Sequence, residues 1–206
     1  MGNKFVIANG RIVTASGIIE NGYLTICDER IESIGTESPS PGTETLDVDN
    51  AWVVPGLIDL HVMGGFGEST FDPDPDLISK LSRNLPTCGV TGFLPACTTY
   101  RGSTEPLQEL ANQIHEWDGV GARPLGILVE GPFIHPDRRG AFTSDRVEEP
   151  SREMLEAIID ACAGLLAVMM LAPEKCLQGD YIERIAQVGV AAMGHCQPTT
   201  EEAHEA

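Results

Sequence analysis

The sequence predicts an α/β protein, an incomplete TIM-type (β/α) barrel of about five βα units preceded by a small N-terminal antiparallel β-sandwich. Three observations carry that reading. Strand-like and helix-like stretches alternate from Leu57 onward, which implies a parallel sheet with right-handed crossovers. Residues 4–50 instead hold short β stretches split by turn residues. Finally, the apolar run Leu125–Phe133 ends its strand-like part in one carboxylate, Glu130, followed at once by Gly131 and Pro132. The C-terminal tip of a parallel strand is where a (β/α) barrel binds metals and substrates, and an unpaired carboxylate cannot sit in apolar core. The expected division is a sandwich over residues 1–54 and a truncated barrel over 55–206.

The N-terminal strands are K-F-V-I-A-N, G-R-I-V-T, G-Y-L-T-I-C-D and R-I-E-S-I-G, with Asn9-Gly10 and Asn21-Gly22 read as hairpin turns and Asp28-Glu29 as a tight turn. Thr36–Thr45, polar and rich in Pro and Ser, is a surface loop. The first barrel strand is L-I-D-L-H-V, 57–62, followed by a Gly-rich loop and a helix near 76–84. A strand at 91–98 leads to a helix at 103–117, where Ser103 or Thr104 can cap and Pro106 suits the first turn. After the strand ending at Glu130 come a long loop and a helix at 151–163, capped by Ser151 with Glu153 close behind. A strand at 165–171, a helix at 180–187, a strand at 190–195 and a helix from Thr199 or Thr200 complete the series. An eight-unit barrel needs about 250 residues, more than this chain has. A five-stranded open α/β sheet is the alternative.

Composition limits the function. The chain has 206 residues, 42% of them hydrophobic, and a formal net charge of −18 from 31 acidic and 13 basic residues. Nucleic acid and anionic membrane surfaces both require clustered Lys and Arg, so neither is expected as a partner. No apolar run approaches the roughly 20 residues that span a bilayer. The six cysteines are scattered without a C-x-x-C, which reads as buried, reduced thiols in a cytoplasmic protein.

His61, Glu130 and His195 stand at the tips of the first, third and fifth barrel strands. A carboxylate with neutral imidazoles suits one hydrolytic divalent metal of the Zn or Fe type. Met63 shares the direction of His61 at a strand's period of two, and its thioether is a poor ligand for a hard ion. His115 and His204 read as surface or satisfied groups, and His135 as a loop residue that could touch a ligand. Arg138-Arg139, with Asp137, Asp145 and Arg146 nearby, reads as a salt-bridge network.

P-G-L-I-D-L-H-V-M-G-G-F-G (55–67), L-V-E-G-P-F-I-H-P-D-R-R-G-A-F (128–142), L-A-P-E (171–174) and G-H-C-Q-P-T (194–199) resemble the N-acetylglucosamine-6-phosphate deacetylases of the amidohydrolase superfamily. The resemblance covers the whole chain in order. It implies Glu130 and His195 as metal ligands, with His61 a further or partial one, and water attack on an acetamide carbonyl that releases acetate and an amino-sugar phosphate. It implies substrate contacts at Ala141 and Phe142, where the family's usual His is replaced by Phe. A catalytic Asp and a further ligand His are expected beyond residue 206, so the 206 residues alone are expected to be inactive. A homodimer is implied for the full-length protein. Another amide substrate, or a relative that binds sugar phosphate or metal without turnover, is the other reading.

Overall fold

The structure is a computed structural model and describes residues 3–205. It divides into two compact units, Met1–Gly56 and Leu57–Ala206.

The first unit is one five-stranded sheet. Strand β1 (Lys4–Thr14) pairs antiparallel with β2 (Gly17–Cys27), which pairs antiparallel with β3 (Arg30–Gly35). Strands β4 (Glu44–Asp47) and β5 (Trp52–Val53) then run parallel to β1 along its other edge. The described residues thus form a single mixed sheet where an antiparallel sandwich was expected. The physical reason is the Thr36–Thr43 loop, whose eight residues can span about 25 Å. That is enough to carry the chain back past β3 and bring β4 in beside β1 in the same direction.

Asn9-Gly10 and Asn21-Gly22 are not hairpin turns. Both pairs lie inside the long strands β1 and β2, with Asn9 and Asn21 at φ 58° and 51°, and the pairing register shifts on either side of Gly10. They are bulges, a place where Asn tolerates the left-handed region. The hairpin itself turns at Ala15-Ser16, where the Thr14 hydroxyl donates to the Gly17 carbonyl. The Asn9 side chain then ties three strands together. Its amide donates to Asp47 and its carbonyl oxygen accepts from the Tyr23 hydroxyl. The Asp28 turn between β2 and β3 is as expected, with φ 55°.

The second unit follows the predicted alternation closely. Its strands are β6 (Leu57–Val62), β9 (Val90–Cys97), β11 (Ile127–Glu130), β12 (Leu166–Leu171) and β13 (Val190–Met193), paired in that order and all parallel. A small hairpin of β7 (Gly64–Gly65) and β8 (Glu68–Ser69) follows β6. A short β10 (Arg123–Pro124) lies along β9 just before β11. The run read as one strand from Leu125 is therefore split, because Gly126 takes φ 144° and a Cβ there would meet the Leu165 carbonyl at 2.7 Å. The helices are α1 (Leu77–Asn84), α2 (Glu105–His115), α3 (Arg152–Ala161), α4 (Pro173–Cys176), α5 (Tyr181–Ala186) and α6 (Thr200–Glu205). Ser151 caps α3, its hydroxyl accepting from the Met154 amide at 3.1 Å.

Strand periodicity sorts the side chains. Phe93 and Cys97 of β9, Ile127 and Val129 of β11, and Met169 and Leu171 of β12 face the helices. There they join Leu77, Leu81, Leu107, Leu110, Leu155 and Ile158 in the main core. Leu94, Ala96 and Leu128 alternate to the concave face and form a second, smaller cluster with Ala167 and Val168. The result is a curled, all-parallel half-barrel. The edge strands β6 and β13 do not pair with each other, and they leave Leu57, Ile58, Leu60, Val190 and Met193 exposed. Among the described residues, no helix is long and apolar enough to cross a membrane.

Candidate functional site

The alternation that sends Ile127 and Val129 to the helices sends Leu128 and Glu130 to the concave face. Glu130 is 5% exposed, so its carboxylate must find partners. It finds the two histidines singled out in the sequence. Oε2 lies 3.0 Å from His61 Nε2, and Oε1 lies 2.9 Å from His195 Nε2. Three residues from β6, β11 and the end of β13 thereby meet at the C-terminal edge of the sheet.

Each is held by its local chain. Gly131, at φ 91°, turns the chain away as soon as β11 ends. The Asp59 carboxylate accepts from the His61 backbone amide at 3.0 Å and fixes the end of β6. His195 takes φ 49°, a backbone region that non-glycine residues occupy at a cost of about 1–3 kcal/mol and that clusters at functional sites. Its carbonyl accepts from the His135 amide at 2.8 Å. Glu174, from the L-A-P-E segment, accepts from the Gln197 backbone amide at 2.7 Å, and Gln197 in turn accepts from Arg138 Nε at 2.8 Å. Glu174, Gln197 and Arg138 received no individual role from the sequence. The L-A-P-E and G-H-C-Q segments themselves were the available signal.

The hydrogen bonding of His195 defines what the site can hold. Its Nδ1 lies 2.7 Å from the Arg138 carbonyl oxygen, which can only accept, so Nδ1 carries the proton. A neutral ring then turns the lone pair of Nε2 toward a carboxylate oxygen 2.9 Å away. Two lone pairs at that distance repel unless a proton or a metal ion lies between them. A backbone carbonyl on the far nitrogen is also the usual second partner of a metal-ligating His. Ligand atoms about 2.1 Å from a tetrahedral ion lie about 3.4 Å apart, a few tenths of an ångström beyond the spacing here. As they stand, the three side chains are in direct hydrogen-bond contact, and among the described residues no group of three His, Cys, Asp or Glu is spread to coordination geometry. A carboxylate with two imidazoles is nonetheless the donor chemistry that suits a divalent ion.

A cavity of about 530 Å³ opens beside Glu130 and His195, and Met63, Phe71, Tyr100, Arg139, Ala141, Phe142, Asp145 and Arg146 line it with them. Met63, the residue after β6, therefore lines the cavity. Ala141 and Phe142 both reach the cavity, and the buried Phe142 ring stands 5.3 Å from the His195 ring and edge-on to Phe71 at 5.8 Å. Gly140 lets this loop approach, since a Cβ there would lie 3.2 Å from His195 Cε1.

Other expectations fare differently. The salt-bridge network around Arg138-Arg139 does not form. Arg138 bonds Gln197, Arg139 donates to the carbonyls of Phe142 and Pro136, and Asp145 pairs with Arg101 and accepts from Thr143. The long loop curls back on itself, so backbone carbonyls reach the guanidinium groups before the carboxylates do. His135 does not enter the cavity lining. Its Nδ1 accepts from the Asp137 amide and caps the turn Pro136–Arg138. His115 contacts the Ala163 carbonyl, and His204 is exposed on α6. All six thiols are free, and burial pushes those of Cys97, Cys162 and Cys176 up to about 12. Cys196, next to His195, is also raised by partial burial, with the Glu174 charge adding to it.

Fold and site together define an all-parallel half-barrel with a buried carboxylate and two imidazoles at the strand tips. No family model matches the chain. It is 32% identical to the N-acetylglucosamine-6-phosphate deacetylase of Bacillus subtilis over 95% of its own length and 51% of that protein's. It is 31% identical to the N-acetylgalactosamine-6-phosphate deacetylase of Escherichia coli O157:H7 over 98% of the chain and 53% of the relative. The crystal structure of the N-acetylglucosamine-6-phosphate deacetylase from Pasteurella multocida superposes with a TM-score of 0.86 at 21% identity, covering 98% of this chain and 53% of that one. By sequence, the chain is similar to N-acetylglucosamine-6-phosphate and N-acetylgalactosamine-6-phosphate deacetylases, and it spans about half the length of the curated relatives it matches.

Proposed function

We propose that this chain supplies the metal-holding half of a hydrolase that removes the acetyl group from an N-acetylated amino-sugar phosphate, N-acetylglucosamine 6-phosphate in the first instance. One observation carries the reading. Glu130 is buried between two imidazoles, and one of these is held in the tautomer that aims a lone pair at the carboxylate. Glu130 and His195 would hold one divalent ion, with His61 the third and more exposed donor. Such an ion supplies Lewis acidity toward an amide carbonyl and makes water a nucleophile near neutral pH.

The chain's own residues do the rest of what is assigned here. The Arg138 carbonyl keeps the proton of His195 on Nδ1, away from the site. Phe142 and Phe71 give the cavity an apolar wall that limits water, and Ala141 lies where its backbone can meet the sugar. Asp145, the other carboxylate lining the cavity, is engaged by Thr143 and Arg101, so neither carboxylate of the cavity lining is free as a proton acceptor. Residues 55–206 are assigned to the hydrolase domain and 1–54 to a separate sheet segment.

The test is acetate release from N-acetylglucosamine 6-phosphate and from its galactosamine epimer by the full-length protein, together with measurement of its bound metal. Metal-dependent release from either supports the reading and selects the hexosamine. Tight binding of the sugar phosphate with no acetate released would leave a binding protein instead.

A further inference from the structure

The loop after β11 carries a cation that the proposed hydrolysis does not use. In a chain with 31 acidic and 13 basic residues, the ordinary fate of an arginine is a carboxylate partner. Arg101, Arg152 and Arg184 all have one. Arg138 and Arg139 bond carbonyl oxygens, and the Arg146 side chain has neither kind of partner among the described residues. Its guanidinium instead lies against two aromatic faces, 4.7 Å from the Phe71 ring centroid and 4.9 Å from that of Tyr100. Its Nη1 is buried and has no hydrogen-bond partner. A buried donor left unpaired costs about 1–3 kcal/mol, and more when charged, so the arrangement calls for an acceptor from outside the chain.

The stacking determines what that acceptor can be. A guanidinium placed over aromatic rings still carries its N–H donors as a fork in its own plane. That fork matches two oxygens of one carboxylate or phosphate. Arg146 lines the same cavity as Glu130 and His195, so one ligand filling that cavity would meet both the carboxylate–imidazole pair and the guanidinium. Asp145 does not compete, because Arg101 and Thr143 hold it. Phe142 and Phe71 screen the cavity from water and so strengthen a charge pair formed there.

We propose that Arg146 is a specificity residue of this site, binding an oxyanion carried by the amide substrate, phosphoryl or carboxylate, through its unpartnered guanidinium while Phe71 and Tyr100 pack against it. The proposal rests on the hydrolase reading for the substrate, but its test is a binding measurement that stands apart from turnover.

Three ligands would be titrated calorimetrically into the full-length protein and into Arg146→Gln and Arg146→Met. They are N-acetylglucosamine 6-phosphate, N-acetylglucosamine, and the sugar acid with a carboxylate at carbon 6. Arg146→Met keeps an apolar chain against the two rings and guards against simple misfolding. Both variants are expected to weaken the anionic ligand that the site prefers by about 10–100-fold, with the neutral sugar within twofold of the parent. Which anionic ligand loses affinity identifies the oxyanion. In turnover the same variants raise KM and leave kcat close to the parent value. Unchanged affinity for both anions, or an equal loss for all three ligands, would overturn the proposal. A parent protein that binds an anionic ligand through Arg146 yet releases no acetate would sink the hydrolase reading and leave this one standing.

Discussion

His195 Nε2 lies 2.9 Å from Glu130 Oε1, across 65 residues of sequence, while the other ring nitrogen is tied to the Arg138 carbonyl. The contact joins a carboxylate that cannot remain alone in apolar surroundings to an imidazole whose tautomer is set from behind. Four predictions follow from it and from the core around it.

Glu130→Gln keeps the shape but removes the charge that a divalent ion requires. The variant should retain its fold by circular dichroism and lose at least about tenfold in metal affinity, in line with the loss of a charged ligand or its support. Equilibrium dialysis against Zn²⁺, followed by metal analysis, checks this. A variant that holds metal as tightly as its parent would remove Glu130 from the site.

Glu174→Ala breaks the anchor on the Gln197 amide. A hydrogen bond to a charged group is worth about 1.5–3 kcal/mol, so unfolding should shift by an amount in that range. Amide exchange at Cys196 and Gln197 should speed up well before exchange in β9 or β11 does. Uniform acceleration throughout the second unit would show that Glu174 acts on the fold as a whole and not on this loop.

Leu155→Ala empties a fully buried position where α3 meets the sheet. Large-to-small changes of this kind cost about 2–5 kcal/mol. Denaturant titration should show a lower midpoint with an unchanged slope. A cost below about 1 kcal/mol would mean that the core collapses around the gap.

The buried thiols give a pH dependence with a definite sign. Burial raises the folded-state values of Cys97, Cys162 and Cys176 from 9.0 to about 12, so the folded chain holds these protons more tightly than the unfolded one. Their contribution to stability is fully present below pH 9 and is lost as pH rises from 9 toward 12. Alkylation at pH 8 should modify exposed Cys88 quickly and spare these three, as mass spectrometry of the labelled native protein would show.

The second unit was legible in the sequence because its signals are local. An apolar run buried on both faces, a Ser cap at Ser151 and a Pro in the first turn of α2 are each decided within a few residues. The first unit was less so. Asn-Gly serves equally as a turn and as a bulge, and only the pairing of β1 with β2 across the true turn at Ala15-Ser16 separates the two. The direction of β4 was likewise undetermined, since a loop of eight residues permits either sense.

The sequence by itself placed His61, Glu130 and His195 at strand tips, because period and position along a strand are local properties; the residues of the site loop came from the family resemblance. Only the tertiary structure decided that the three side chains touch. It also decided that Glu174 pins the loop bearing His195 and that Arg146 stacks on rings where a carboxylate partner was expected. Those outcomes depend on which groups meet across 23 to 75 residues of chain, where burial and hydrogen-bond geometry choose among partners of equal chemical merit.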